Sequence, residues 1–173
     1  PGGAITGAAN GIVVTQNGAG DITINASGAV TGQAGDGIDA QDSASGTGNI
    51  NVTATGGVSA SGTTSVLTGN PLVQTTQGYA AIRAQNLDTA NNGNVTVATS
   101  GALTGSEFGI RAQTSGSGNV SVTTDVTTAI NAGGSGISAV NFDTSMLATA
   151  NSMITVTAHG TINSGSMVNP NGS

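Results

Sequence analysis

No cysteine occurs anywhere in the chain. That excludes a disulfide framework, a thiolate metal site and a thiol nucleophile, and it suits an exported protein that avoids accidental disulfides. Lysine and tryptophan are absent too, and aromatic residues are limited to one tyrosine and two phenylalanines. Side chains of this size do not fill a broad globular core, and they offer almost nothing for sugar rings to stack on. Positive charge is confined to Arg83 and Arg111 against eight acidic residues, a net charge of −6. Two cations on an acidic chain are too few to neutralise a phosphate backbone, so nucleic acid is not an expected partner. No apolar run approaches the eighteen or so residues of a spanning helix, and no signal peptide opens the chain. The opening at Pro1 reads as an entry in mid-domain, so the chain reads as part of something longer.

What remains is glycine, 29 of 173 residues, with Val, Ile and Ala alternating with Thr, Asn and Ser. The alternation is that of strands bounded by turns. Three phrases recur in fixed order. The first is GIVV at Gly11, GIDA at Gly37, AIRA at Ala81, GIRA at Gly109 and GISA at Gly136. The second is DITINASG at Asp21, NINVTATG at Asn49, NVTVATSG at Asn94, NVSVTTDV at Asn119 and MITVTAHG at Met153. The third is AITG at Ala4, AVTG at Ala29, GVSASG at Gly57, ALTG at Ala102, AINAG at Ala129 and TINSG at Thr161. Spacings of 26, 44, 28 and 27 residues between the first phrases give a period near 27 with one long insertion.

Three short strands per period describe a solenoid coil that cannot bury its apolar face alone. The fold class is therefore all-β, a right-handed parallel β-helix of about five to six coils, forming one unit over residues 1–173. The hand follows the general preference of parallel crossovers. Inward columns are expected at Ile12, Ile38, Ile82, Ile110 and Ile137; at Ile22, Ile50, Val95, Val120 and Ile154; at Ile24, Val52, Val97, Val122 and Val156; and at Ile5, Val30, Val58, Leu103, Ile130 and Ile162. Gly20, Gly48, Gly93 and Gly118 precede the long strand and are expected to turn the corners with positive φ.

The phrase G-I-x-A … G-N-I/V-x-V-x-T/A-x-G-x-V/L/I-x-G, from Ala4 to about Gly165, resembles the passenger region of bacterial type V autotransporters. The resemblance implies a right-handed β-helix exported past the outer membrane with the help of a carboxy-terminal barrel, and an adhesin or other virulence factor at the cell surface or outside the cell. Neither a barrel nor an enzyme domain lies within these residues.

Candidate chemistry is sparse. Arg83 and Arg111 fall in one outward column, Val13–Asp39–Arg83–Arg111–Ser138. An Asp39–Arg83 surface pair is the ordinary reading; a cationic patch for a carboxylate, sulfate or phosphate group is the functional one. Gln41, Gln85 and Gln113 form a neighbouring column, expected inward or at a corner as an amide ladder. Asp36, Asp39 and Asp42 are clustered carboxylates without the tandem glycine-aspartate turns of a calcium roll, and no metal or other cofactor is expected. His159 stands on an outward position with no carboxylate in its own coil, and no G-x-S-x-G elbow, P-loop or complete G-x-G-x-x-G occurs. With one glutamate and few aromatics, a carbohydrate-active enzyme is the unfavoured reading.

The stretch SGTTSVLTGNPLVQTTQGY, Ser61 to Tyr79, interrupts the repeat as an inserted loop or hairpin. Such insertions project from one side of a solenoid and often bind. Val66, Leu67, Leu72, Val73 and Tyr79 are its candidate contacts, beside Arg83 and Arg111. A second extension, Asn141 to Ser152, brings Phe142, Met146 and Leu147 as a partial cap. The expected role is non-enzymatic adhesion to a host-cell or matrix protein or glycan, or self-association, without membrane insertion. The alternatives are a passive stalk presenting another domain and a secreted effector bound by a host receptor. Oligomeric state stays open.

Overall fold

In the computed structural model residues 2–43, 48–68, 73–143 and 152–165 are described, with backbone alone for 65–68 and 73–77. They contain eighteen strands: β1 (Ile5–Gly7), β2 (Ile12–Gln16), β3 (Ile22–Ala26), β4 (Val30–Gly32), β5 (Ile38–Asp42), β6 (Ile50–Ala54), β7 (Val58–Ala60), β8 (Thr63–Thr68), β9 (Val73–Gly78), β10 (Ala80–Asn86), β11 (Val95–Thr99), β12 (Ala102–Gly105), β13 (Phe108–Thr114), β14 (Val120–Thr124), β15 (Ala129–Ala132), β16 (Ser135–Asn141), β17 (Ile154–Ala158) and β18 (Thr161–Ser164). No helix occurs among the described residues.

Every third rod strand stacks on its equivalent. The sheets run β16-β13-β10-β5-β2, then β17-β14-β11-β6-β3, then β1-β4-β7-β12-β15-β18. All pairings within them are parallel, as a parallel β-solenoid requires. Register joins like to like: Ile12 to Ile38 to Ile82 to Ile110 to Ile137 in the first sheet, and Ile22 to Ile50 to Val95 to Val120 to Ile154 in the second. The stacked columns are buried through the middle coils, where β-branched side chains suit the pleated surface. Exposure rises at the two ends, to 44% at Ile5 and 46% at Ile154, because no described coil lies beyond them.

Polar side chains knit the corners. Asn49 Oδ1 accepts Asn94 N–H at 2.9 Å, Asn94 Oδ1 accepts Asn119 N–H at 2.9 Å, and Asn119 Oδ1 accepts Met153 N–H at 2.8 Å. This asparagine ladder gives the N of each G-N phrase a structural role. It satisfies a backbone donor that the corner would otherwise leave to solvent.

The glycines before the second sheet act differently from expectation. Gly20, Gly48, Gly93 and Gly118 do not adopt positive φ; Gly160, at φ 86°, is the positive-φ residue among those described. For Gly48, Gly93 and Gly118 the constraint is proximity. A Cβ on Gly118 would lie 1.9 Å from Gly93 O, and one on Gly93 the same distance from Gly48 O. Successive corners approach too closely for any side chain.

The glycine of the G-I phrase is also a packing residue. A Cβ on Gly109 would lie 2.2 Å from Ile130 Cγ2, and one on Gly37 would lie 2.5 Å from Val58 Cγ1. In coil three the phrase begins with Ala81, and there the third strand offers Leu103, whose Cβ is unbranched; both residues are fully buried. The extra methyl is thus accompanied by removal of the branch at Cβ whose methyl lies closest to the glycine elsewhere.

Candidate functional site

The insertion leaves the coil between β7 and β10 as an antiparallel hairpin. Thr63 pairs with Gly78, Val66 with Thr75, and Thr68 with Val73, and the hairpin forms a two-stranded sheet of its own. Val66, Leu67 and Val73 lie on its strands, whereas Leu72 lies outside the described residues. Met146 and Leu147 of the second extension also lie outside them, and Phe142 is 52% exposed.

The hairpin is fastened at its root by side chains from the coils on either side. From the preceding coil, Asp36 Oδ1 accepts Ala80 N–H at 2.7 Å. From the following coil, Glu107 Oε2 accepts Gly78 N–H at 3.0 Å and Ser106 Oγ accepts Tyr79 N–H at 2.8 Å. The same Ser106 hydroxyl donates to Gly62 O at 2.5 Å, so the two ends of the insertion meet at one oxygen. Tyr79 O receives Glu107 N–H and Phe108 N–H, and its phenol bonds the Thr64 hydroxyl. The register of the connections carried a signal for these residues. Asp36 immediately precedes the Gly37 phrase, and Ser106-Glu107 fill the same connection one coil after the insertion.

The arginines share a column, as the pairings Asp39–Arg83–Arg111–Ser138 establish, but their surroundings differ. Arg83 Nη2 pairs with Asp36 Oδ2 at 2.6 Å, not with Asp39. Asp39 instead receives Gln41 Nε2 on both carboxylate oxygens, at 2.9 and 3.1 Å. Burial pushes the Asp36 carboxyl above its ordinary value, and the Ala80 N–H and the Arg83 charge pull it back only in part. Arg111 makes no ion pair or hydrogen bond among the described residues; its guanidinium lies over the Phe108 ring, 5.3 Å from the centroid.

The glutamine column lies on the side of the strand opposite the inward isoleucines, which corrects the expected inward or corner placement, and its middle member Gln85 is nonetheless buried between its neighbours. Strict alternation from inward Ile38 puts Asp39 and Gln41 on one face, and Asp42, Asn86 and Thr114 take the buried interior positions. The amide ladder itself is present between two coils: Gln85 Nε2 donates to Gln113 Oε1 at 3.0 Å.

His159 has a carboxylate neighbour that its own coil does not supply. Asp125 of the preceding coil and His159 line a groove of about 480 Å³, with Thr53, Ala98, Ser100 and Val126. The corner at Asp125 is longer than those at Thr55 and Ser100. Its Oδ1 accepts both the N–H and the hydroxyl of Thr127 at 2.9 Å, which holds the Asp125 carboxyl below its ordinary value, with a smaller push from His159. His159 is tied to Thr124 only through its backbone. A hydroxyl–imidazole–carboxylate relay needs both imidazole nitrogens engaged, and this corner does not have that arrangement. Among the described residues no group of three or more His, Cys, Asp or Glu side chains gathers where a metal ion would be held, Asp36, Asp39 and Asp42 included. Set against models of protein families, curated proteins and solved structures, the chain matches none.

Proposed function

We propose that this chain is a non-enzymatic segment of a bacterial surface-displayed or secreted β-helix, of the autotransporter-passenger kind, that mediates adhesion or interaction with host or neighbouring cells. The observation that carries this reading is the hairpin β8–β9. It departs from the three-sheet coil, and side chains of both adjacent coils hold its root. An isolated two-stranded hairpin is marginal in water, so a fixed root supports its use as a presented element. Between Asp42 and Arg83 the sequence has no charged residue, which suits contact with a partner surface at little desolvation cost.

The test is excision of Thr63–Gly78, joining Gly62 to Tyr79, which already share the Ser106 hydroxyl. Binding to cultured cells and matrix-coated surfaces is expected to be lost while the β-type circular dichroism persists. Unchanged binding with the fold intact would overturn the hairpin's role and favour a stalk.

A further inference from the structure

The two arginines are equivalent in the sequence repeat, yet only one is committed inside the fold. Arg83 is spent on Asp36, a carboxylate only 2% exposed. Arg111 has an aromatic face behind its guanidinium and no carboxylate on it. Gln113, two residues along the same strand, lies on the same face about 7 Å away by strand geometry. Its Oε1 is occupied by Gln85, so its Nε2 donors are the part left over. In the next coil the register partner of Arg111 is Ser138, a short hydroxyl side chain on the same face that adds a donor. Nearby acids are already engaged: Glu107 Oε2 takes Gly78 N–H, Asp39 takes Gln41, and Asp36 takes Arg83.

We infer that Arg111, Gln113 and Ser138 form a receptor for one anionic group, carboxylate or sulfate, carried by the partner. This deepens the interaction reading and rests on it. The guanidinium supplies the charge and a planar fork, Gln113 and Ser138 supply neutral donors to the remaining oxygens, and Phe108 limits the rotation of the arginine. Phe108 N–H bonds Tyr79 O, so the receptor adjoins the hairpin root.

The experiment measures retention of the whole chain on three surfaces: dextran sulfate, polygalacturonate and unmodified dextran. Retention is expected on one or both anionic surfaces, weakening with salt, and not on plain dextran; the preferred arm tells sulfate from carboxylate. Arg111→Gln should weaken it about tenfold, the scale of one charge-assisted hydrogen bond. Arg111→Lys should recover only part of it. His159→Gln, on a different sheet corner, should bind as the parent does. Equal retention of parent and Arg111→Gln, no retention of the parent on either anionic surface, or loss in the folded His159→Gln variant would each overturn the receptor. Excision of Thr63–Gly78 leaves Arg111 in place. Cell binding that depends on the hairpin, with no anion retention by the parent, would therefore remove this inference and spare the broader one.

Discussion

The coil stack and the hairpin are built from the same kinds of residue and held by different means. In the stack each strand has a parallel neighbour in register on one or both sides, and its inward side chains are sealed by the coils above and below. In the hairpin the two strands have only each other, and the attachment runs through Asp36, Ser106 and Glu107 at the root. Stability in a repeat protein comes from contacts between neighbours. The comparison therefore places stability in the columns and leaves the hairpin dispensable for folding.

The largest effect should come from cutting a column. Ile110 is fully buried between Ile82 and Ile137, so Ile110→Ala should cost about 2–5 kcal/mol in denaturant unfolding. A loss below about 1 kcal/mol would mean that the columns do not carry the fold. Next is Gly109→Ala, whose new methyl would meet Ile130 Cγ2 and should cost about 1–3 kcal/mol. Adding Ile130→Leu copies the Ala81–Leu103 arrangement and should restore part of that loss. A double variant no better than the single one would refute that pairing.

A smaller effect is expected at the hairpin root with pH. The folded chain raises the Asp36 pKa, so this group's contribution to stability is fully present below about 3.8 and is lost as pH rises through the raised value. Asp125 acts in the opposite sense, its contribution being present above that value and lost as pH falls through its lowered one. Asp36→Asn should therefore lose more of its own neutral-pH stability than the parent does when both are melted near pH 3. The smallest effect should be that of excising Thr63–Gly78 on the stability of the stack, within about 0.5 kcal/mol.

The stack was legible because period-two alternation and β-branched residues mark inward positions at any one coil, and a repeat near 27 residues aligns them. Ile38, Ile82 and Ile110 could be paired from spacing alone. The corners were less legible, since their paths differ in length from coil to coil. A glycine there reads as a turn residue, although at Gly93 and Gly118 it is the overlying backbone that forbids a side chain. The same limit applied to charge. Register made Asp39 the neighbour of Arg83, but the corner residue Asp36 reaches the guanidinium and Gln41 occupies Asp39. The hairpin was visible as an interruption of the period. Its root shows only when the connections are aligned from coil to coil, because the residues that grip it belong to the connections of two other coils.

Native-state amide hydrogen exchange tests the contrast most directly. Amides of the middle columns, such as Ile82, Val97, Ile110 and Val120, should exchange together as one slow unit, while hairpin amides such as Val66 and Thr75 exchange about a hundredfold faster or more. A hairpin protected as strongly as the columns, or coils that exchange independently of one another, would contradict the account.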